Sequence, residues 1–318
     1  MSLQSDDYRV SFDGYYTIDS ATINTEGSRR EDVITFTFKP GADIIHASIE
    51  TNDMAPKKME LIDTHCHLTF APLAEDVEGV VERSEAAGVT GWVTVGTDAE
   101  HNRRAVALAE RFEHMYAAVG IHPHDAKDVT AAALDELRDL ARNNKVVALG
   151  ETGLDFHYDL SPRQDQRRAF TAQLEIAREM NLPVVIHSRE AFDETIDSLE
   201  QFIRLNGRLR GVVLHCFSGS AEQARIVLDH GFCVSFTGVV TFKNAEKTRA
   251  AAAVVPLEKL MLETDCPYMS PEPMRKQKVN EPALMIHTAG FLAELKQMPL
   301  PDFAQAITAA SKTFFGLP

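Results

Sequence analysis

Six polar residues of the kinds that bind metal ions each stand at the end of an apolar run in the sequence. Two of them are histidines that flank one cysteine in LIDTHCHLTF, residues 61–70. The others lie in GETGLD, VVIHSR, LHCFSG and LETDCPY, so the six are His65, His67, Glu151, His187, His215 and Asp265. An imidazole or carboxylate in such a place is costly to bury unless it binds a metal or forms hydrogen bonds. The repeated placement favours one shared metal site over six unrelated polar residues.

The chemistry of these residues favours metal-assisted hydrolysis. Four imidazoles and two carboxylates suit Zn²⁺, Mn²⁺, Fe²⁺ or Mg²⁺, and six ligands are more than one catalytic ion needs. Two ions about 3.5 to 4 Å apart would use all six ligands, with one carboxylate bridging. Such a pair of ions lowers the pKa of bound water and stabilises the negative charge that builds during hydrolysis. We therefore predict two divalent metal ions as cofactors, with Mg, Mn and Zn as the candidates.

The His-x-His pair is weak evidence by itself, because a solvated strand face would show the same pattern. In a strand, successive side chains alternate faces, so His65 and His67 point one way and Cys66 the other. The same argument places Cys216 and Cys266 away from the ligands, and we interpret these cysteines as structural. The four cysteines form no CxxC pair and no disulfide framework, which suits a reducing compartment.

From Met59 onward, short β-rich runs alternate with longer amphipathic segments. The eight predicted strands are MELIDTH, TGWVTVG, MYAAVGI, KVVALGE, LPVVIHS, GVVLHCF, FCVSFTG and KLMLETD. Helical segments include EDVEGVVERSEAAG, SPRQDQRRAFTAQLEIAREMN and SAEQARIVLDHG, where Gly231 acts as a stop. Eight βα units in about 250 residues predict an α/β protein with a (β/α)8 TIM barrel, although a doubly wound sheet could use the same alternation. Barrel active sites lie where these strands end.

Residues 1–58 differ in sequence pattern from the rest of the chain and are predicted to form a small N-terminal antiparallel β extension and linker. DVITFTFKPGADIIHASIE alternates apolar and polar residues on both sides of Lys39-Pro40-Gly41, as two strands around a turn would. YRVSFDGYYTI also alternates, and TNDMAPKK is typical of a linker. The barrel is assigned to residues 59–318. Fewer than 60 residues make a marginal core, so an appendage is favoured over an independent domain.

The composition indicates an ordinary globular protein that is not exported. No run of 18 apolar residues occurs, and the acidic start lacks the pattern of a signal peptide, so we expect no membrane association and a cytoplasmic location. The formal net charge is −15. Tight polyanion binding usually depends on a basic face, so a nucleic-acid substrate would need cations other than Lys and Arg.

The motifs IDTHCHL, GIHPH, GETGLDF, VVIHSR, HCFSGS, LETDCPY and NEPA stand in an order and spacing that resemble the TatD family of metal-dependent deoxyribonucleases. The resemblance covers about residues 59 to 318 of the amidohydrolase-like barrel. It implies that His65, His67, Glu151 and Asp265 hold one ion and that Glu151, His187 and His215 hold the second. Glu151 would bridge the ions, and Asp265 would also accept a proton from the attacking water, so these two residues are the predicted catalytic pair.

Further polar residues are candidates for contacts with substrate phosphate. They are His122 and His124 just past the third predicted strand, Arg189 after His187, and Arg275 and Lys278 in the segment that follows the eighth. Lys276 is interpreted as a solvated charge. The run PMRKQKVNEPA lacks the glycine that this family often has before Asn-Glu-Pro, and residues 1–58 match nothing in the family pattern.

The leading hypothesis is a phosphodiesterase that acts on DNA, as an exonuclease on single strands, ends or short pieces, because no broad basic stripe is present to hold long duplex. A second hypothesis keeps the metals but hydrolyses an amide, lactone, phosphotriester or aminoacyl ester, since fold does not determine substrate. Glu151, in place of a carboxylated lysine, favours the nuclease. In a third hypothesis the barrel is a scaffold and the N-terminal β extension binds an unknown protein partner.

Overall fold

The computed structural model describes residues 59–318 in full, and before them the backbone of four strands. β1 (Ser2–Ser5) pairs antiparallel with β2 (Tyr8–Ser11), and β3 (Ile18–Asn24) pairs antiparallel with β4 (Val33–Phe38). The prediction of an antiparallel β extension is therefore confirmed for these strands. β4 is one arm of the predicted hairpin, but the turn at Lys39-Pro40-Gly41 and the second arm lie outside the described residues. The chain divides into two compact units, Met1–Lys57 and Lys58–Pro318; the assignment of functional domains stays a prediction.

All eight predicted strands of the larger unit are present, and together they form one parallel sheet in sequential order. They are β5 (Leu61–Cys66), β6 (Val89–Val95), β7 (Met115–Val119), β8 (Val146–Asp155), β9 (Val184–Arg189), β10 (Val212–Leu214), β11 (Cys233–Phe236) and β12 (Leu260–Leu262). β8 continues four residues beyond Glu151, where the sequence analysis ended it. Sequential parallel order is the topology of a (β/α)8 barrel and excludes the doubly wound alternative.

Nine helices alternate with these strands within residues 59–318. They are α1 (Val77–Ala86), α2 (Ala99–Arg111), α3 (Ala131–Ala141), α4 (Arg163–Glu179), α5 (Phe192–Asn206), α6 (Ala221–Asp229), α7 (Glu246–Val254), α8 (Met285–Leu295) and α9 (Leu300–Phe315). α6 shows why such segments form helices. Its start is capped by reciprocal hydrogen bonds between Ser220 and Gln223, and it stops before Gly231, which has a φ of 78°. Gly231 is thus confirmed as the stop.

Hydrogen bonds between the first and last strand regions close the barrel. The backbone N–H of Asp265 donates to the carbonyl of His65, and the N–H of His67 donates to the carbonyl of Cys266, both at 2.9 Å. The buried Asp63 carboxylate also accepts from Thr264, at 2.6 Å from its hydroxyl and 3.0 Å from its backbone N–H. These contacts fix the two predicted metal-binding segments against each other.

The core has two apolar layers, as expected for a barrel surrounded by helices. The smaller layer includes residues from alternate strand positions, with Phe315 of α9 packed against it: Val93, Val95, Ala118, Val147, Ala148, Val185, Val213, Cys233 and Met261. The larger layer lies between strands and helices and contains Cys66 and Cys266. No helix within residues 59–318 combines the length and the apolar character needed to cross a lipid bilayer.

Two glycines of β8 allow its close approach to β9. Gly153 has a φ of 141°, and a Cβ there would lie 2.0 Å from the carbonyl oxygen of His187. Gly150 has a φ of 137°, and a Cβ would lie 2.4 Å from the carbonyl oxygen of Val185. Only glycine fits these positions without a backbone shift. Glu151 therefore lies on the stretch of β8, between Gly150 and Gly153, where the backbone of β9 is too close for a side chain at either glycine.

Candidate metal centre

Glu151 lies at the centre of the predicted site, and its two carboxylate oxygens face different groups of histidines. On one side, Oε2 lies 3.5 Å from Nε2 of His65 and 3.7 Å from Nε2 of His67. On the other side, Oε1 lies 2.8 Å from Nδ1 of His187 and 2.7 Å from Nε2 of His215. The Glu151 side chain is only 5% exposed. The structure thus brings together the residues that sequence analysis took from four separate strands.

Asp265 completes the first side. Its Oδ1 lies 3.3 Å from Nε2 of His67 and 3.7 Å from Nε2 of His65, and the two histidine nitrogens are 3.2 Å apart. Asp265 follows the end of β12 by three residues and has a left-handed backbone with a φ of 51°. That conformation is uncommon for a residue other than glycine, and it occurs most often where structure around a site enforces it. All six predicted metal-binding residues therefore lie around one cluster.

Hydrogen bonds to neighbouring groups determine which imidazole nitrogens are available as ligands. Nδ1 of His67 lies 3.0 Å from the carbonyl oxygen of Val95. A carbonyl can only accept, so Nδ1 carries the proton and Nε2 presents its lone pair to the site. Nε2 of His187 lies 3.0 Å from the Asp155 carboxylate, which likewise leaves Nδ1 of His187 free to face Glu151. Such outer hydrogen bonds are typical of metal-binding histidines.

Glu263 is a site residue that the sequence analysis missed. It is buried, and its Oε1 lies 3.5 Å from Nδ1 of His215 and accepts the N–H of Cys216 at 2.6 Å. Its Oε2 accepts from the hydroxyl of Ser235 at 2.6 Å. Glu263 stands two residues before Asp265, so strand alternation was the signal that would have placed both on the same face. The same signal applies to Asp63, two residues before His65.

Neighbouring imidazoles favour the ionised forms of Glu151 and Asp265. Burial raises the pKa of the Glu151 carboxyl, but His215 and other neighbouring histidines outweigh burial and hold that pKa well below its usual value. The pKa of Asp265 is also lowered, because a hydrogen bond from His67 and the nearby imidazoles outweigh burial. Burial does prevail at Asp63, whose pKa it raises to about 7.

The imidazoles respond to this concentration of negative charge. Burial lowers the pKa of His215, but Glu151 and Glu263 outweigh burial and raise that pKa well above its usual value. Without an ion, Glu151 and Glu263 therefore favour protons on His215, although burial lowers the pKa of His65. A divalent cation would supply the same positive charge and release those protons, as metal binding to imidazole and carboxylate ligands does. The charge balance of the cluster thus fits a metal ion.

The spacing of the donor atoms also fits. Ligands about 2.1 Å from one ion lie about 3.0 to 3.4 Å from one another, depending on the coordination geometry. On the first side of the cluster, the closest separations are 3.2 and 3.3 Å. Three groups of donors converge within 4.8 Å: His65 with His67 and Asp265, His65 with His215 and Glu263, and His122 with Glu151 and His187. The assignment of individual ligands stays a prediction.

The predicted phosphate contacts divide into an inner and an outer group. His122 belongs to the inner group, since its Nε2 lies 3.4 Å from Glu151 Oε1, and burial lowers its pKa to about 4. His124 lies next to it and is held by the Asp155 carboxylate at 2.9 Å. Both imidazoles are thus anchored near the cluster, and the contact of His122 with Glu151 was not anticipated.

The three basic candidates belong to the outer group. The guanidinium of Arg189 lies 4.7 Å from the ring centre of Tyr158, and that of Arg275 lies 3.9 Å from the ring centre of Phe242. Lys278 is exposed, as is Lys276. The two arginines are therefore positioned by aromatic rings, whereas no contact of the described residues positions Lys278. A role of these residues in substrate binding stays a prediction.

The structural interpretation of the cysteines agrees with their positions. Cys66 donates from Sγ to the carbonyl of Val93 at 3.4 Å, on the face opposite to His65. All four cysteines are free, and Cys66, Cys233 and Cys266 are buried. Asn280 of the NEPA motif is also structural, because its amide donates to the carbonyls of Thr264 and Tyr268 at 3.0 and 2.7 Å.

Comparison with known proteins extends over nearly the whole barrel. The family model described as TatD related DNase matches residues 62–316. The metal-dependent hydrolase YabD of Bacillus subtilis is 40% identical over 255 residues, which cover 80% of this chain and 98% of YabD. The 3′-5′ ssDNA/RNA exonuclease TatD of Salmonella typhimurium is 36% identical over 260 residues, which cover 80% of this chain and 98% of that protein. The crystal structure of YJJV, a TatD homologue from Escherichia coli K12, superposes with a TM-score of 0.76 at 35% identity and covers 81% of this chain and 98% of YJJV.

Proposed function

The chain belongs to the TatD-related DNase family of metal-dependent hydrolases, and from that membership and the geometry of its site we propose that it hydrolyses phosphodiester bonds in DNA. The proposed substrates are single strands, ends and short pieces, attacked as by an exonuclease. The name of the Salmonella relative, 3′-5′ ssDNA/RNA exonuclease, supports this substrate class. The net charge of −15 argues against electrostatic binding of long duplex DNA over a broad basic surface.

The observation that carries the proposal is the arrangement around Glu151. Its Oε2 faces His65 and His67, while its Oε1 faces His187 and His215. A carboxylate whose two oxygens serve two separate groups of imidazoles is suited to bridge two divalent ions. Ions bound there would lower the pKa of water and offset the charge of the phosphate.

The protein supplies the proton acceptor. Asp265 is ionised and stands beside His65 and His67, with its Oδ1 3.3 Å from His67 Nε2. Its side chain is 9% exposed, so a water molecule can reach the carboxylate. We assign to Asp265 the acceptance of the proton from the attacking water, which is the role of a general base.

The surrounding residues hold the ligands in a fixed state. Val95 and Asp155 accept from the outer nitrogens of His67 and His187, so that Nε2 of His67 and Nδ1 of His187 face the cluster. His122 is neutral and lies beside Glu151 Oε1, where it can donate to a phosphate oxygen. Arg189 and Arg275 are fixed on aromatic rings farther out and would bind flanking phosphates.

End-labelled single-stranded DNA, incubated with the protein and Mg²⁺ or Mn²⁺, tests the proposal when the products are resolved over time. We expect progressive shortening that stops when a chelator is added or when Glu151 is changed to Gln. Glu175→Gln is the matched control, because Glu175 is exposed on α4 and has no partner among the described residues.

The same preparations should be assayed for metal content and for hydrolysis of an ester, a lactone, an amide and a phosphotriester. Intact DNA in the presence of a metal-loaded protein would contradict the nuclease proposal. Turnover of one of the small substrates would then favour the amidohydrolase hypothesis. A protein that holds no metal would instead favour the scaffold hypothesis.

A further inference from the structure

Two tyrosines flank the metal centre with half of their side chains exposed. Tyr158 and Tyr268 are each 53% exposed, although large apolar side chains in residues 59–318 are mostly buried. Tyr158 follows β8, and Tyr268 follows β12. These are the fourth and eighth strands of the eight-stranded sheet, so they lie on opposite sides of the closed barrel. The two rings therefore stand across the mouth from each other.

Each tyrosine is attached to a carboxylate residue of the site. The backbone N–H of Tyr158 donates to Oδ1 of Asp155 at 2.8 Å, and Asp155 also holds His187. The backbone N–H of Tyr268 donates to the carbonyl of Asp265 at 3.1 Å. Both tyrosines thus stand three residues after an aspartate that contacts a predicted ligand. Both tyrosine backbones are thus anchored beside the candidate metal centre.

The surroundings of Tyr158 fix its ring but leave it accessible. The guanidinium of Arg189 lies 4.7 Å from the ring centre, and the His124 ring stands at 90° to it with centres 5.5 Å apart. Tyr158 remains 53% exposed, and exposed aromatic surface can receive a planar group by stacking. The Arg189 beside it adds a positive charge suited to a phosphate.

Tyr268 is fixed through its backbone. Its carbonyl accepts from the Asn280 amide at 2.7 Å, and that amide also binds the carbonyl of Thr264. Tyr268 is thereby held next to Asp265, whose carbonyl accepts its backbone N–H at 3.1 Å.

We propose that Tyr158 and Tyr268 form two nucleobase-binding subsites, one on each side of the phosphodiester that is cleaved. The inference rests on the proposed function and extends it to the substrate's bases. Stacking on an aromatic ring accepts every base, so the subsites predict little sequence preference. They also predict selection for unpaired nucleotides, because a base within a duplex is stacked on its neighbours and cannot lie against a protein ring.

The test pairs protein variants with oligonucleotides that lack one base. Wild type, Tyr158→Ala and Tyr268→Ala would be compared on single-stranded DNA that is intact, or abasic on one or the other side of the terminal scissile phosphate. On intact DNA, each alanine variant should lower kcat/KM by about 5- to 150-fold, mainly through KM, as expected for one lost base stack. On DNA that lacks the base facing that tyrosine, the same substitution should have little further effect.

Two further variants separate stacking from a structural role. Tyr158→Phe and Tyr268→Phe keep the ring and should retain most of kcat/KM. Leu205→Ala removes an apolar side chain of α5 that is 70% exposed, and it should behave as wild type. A loss of equal size on intact and abasic DNA, or no loss in either alanine variant, would overturn the base subsites.

Binding without turnover provides a second readout. A single-stranded oligonucleotide with 2-aminopurine at its end would be titrated in chelator, and stacking should quench its fluorescence in wild type but less in the alanine variants. Trp92, the one tryptophan of the sequence, is buried and does not interfere. Quenching without cleavage in metal would overturn the proposed hydrolysis but support the subsites. Cleavage without any dependence on the tyrosines would overturn the subsites alone.

Discussion

The Asp155 carboxylate accepts the Nε2–H of His187 at 3.0 Å, on the side of the imidazole that faces away from Glu151. This bond keeps Nδ1 directed toward Glu151, whose Oε1 lies 2.8 Å away. Asp155→Asn replaces one accepting oxygen by a donor and should release that orientation. We expect metal affinity or activity to fall about 10- to 100-fold, as for other groups that orient a metal ligand. Calorimetric titration with Mn²⁺ would measure the affinity.

Asp197→Asn is the matched control for this substitution, because Asp197 is exposed on α5 and has no partner among the described residues. It should bind metal as wild type does. Equal affinity in the Asp155 and Asp197 variants would contradict a positioning role for Asp155.

Metal binding should stabilise the folded protein. An ion that binds only the native state adds about 2.7 kcal/mol to the free energy of unfolding at a concentration one hundred times its Kd. Thermal unfolding with increasing Mn²⁺ should therefore show a rising Tm in wild type. The rise should be smaller in Glu151→Gln, because this variant lacks the carboxylate that faces both groups of histidines. A parallel rise in the two proteins would argue against Glu151 as a ligand.

Asp265→Asn tests the proton acceptor. Loss of a general base lowers kcat by about 100- to 10,000-fold, and the amide cannot accept the proton. Since Asp265 is also a predicted ligand, kcat should be measured at saturating Mn²⁺ with the bound metal quantified. If high metal restores the wild-type rate, Asp265 acts as a ligand only.

The glycines of β8 should be intolerant of a side chain. At Gly153 the φ is 141° and a Cβ would lie 2.0 Å from the His187 carbonyl oxygen. Gly153→Ala should therefore lower the free energy of unfolding by about 2 kcal/mol or more, from strain and backbone displacement. Gly290→Ala is the comparison, because no atom lies within 4 Å of a Cβ at that position of α8. It should be neutral or stabilising by up to about 1 kcal/mol, as chemical denaturation would show.

The basic residues after β12 should contribute to DNA binding through phosphate contacts. Removing one such contact lowers the slope of log K against log salt by about 0.7 for a single strand. We expect this change for Arg275→Ala and Lys278→Ala, and none for Lys276→Ala, which is exposed in the same loop. Binding would be measured at several salt concentrations in chelator. If the three variants have identical slopes, Arg275 and Lys278 do not bind substrate phosphates.

The fold and the six central residues were predictable because their signals are local. Each strand is a short apolar run, and the predicted ligands other than Glu151 stand at or near strand ends, so barrel topology was enough to bring distant residues together. Glu151 lies in the cluster although β8 runs four residues beyond it. Strand alternation alone does not give the direction of its side chain, because the pairing of β8 with β9 shifts register between Leu149 and Thr152.

The contacts around the ligands were less predictable. Glu263 follows β12 and meets His215 after β10, with β11 between them, and His122 reaches Glu151 from a loop. Both contacts depend on side-chain conformations that sequence spacing does not determine. Alternation did carry one unused signal, since Asp63 and His65 are two residues apart on one face of β5. The hairpin at Lys39-Pro40-Gly41 stays a prediction.

The closure of the barrel also determines when the metal centre can form during synthesis. His65 and Asp265 are joined by a backbone hydrogen bond at 2.9 Å, yet two hundred positions separate them along the chain. A ribosome therefore releases the first histidines long before their carboxylate partner exists. A nascent or prematurely terminated polypeptide carries His65 and His67 without Asp265, so only the completed barrel assembles the hydrolytic centre.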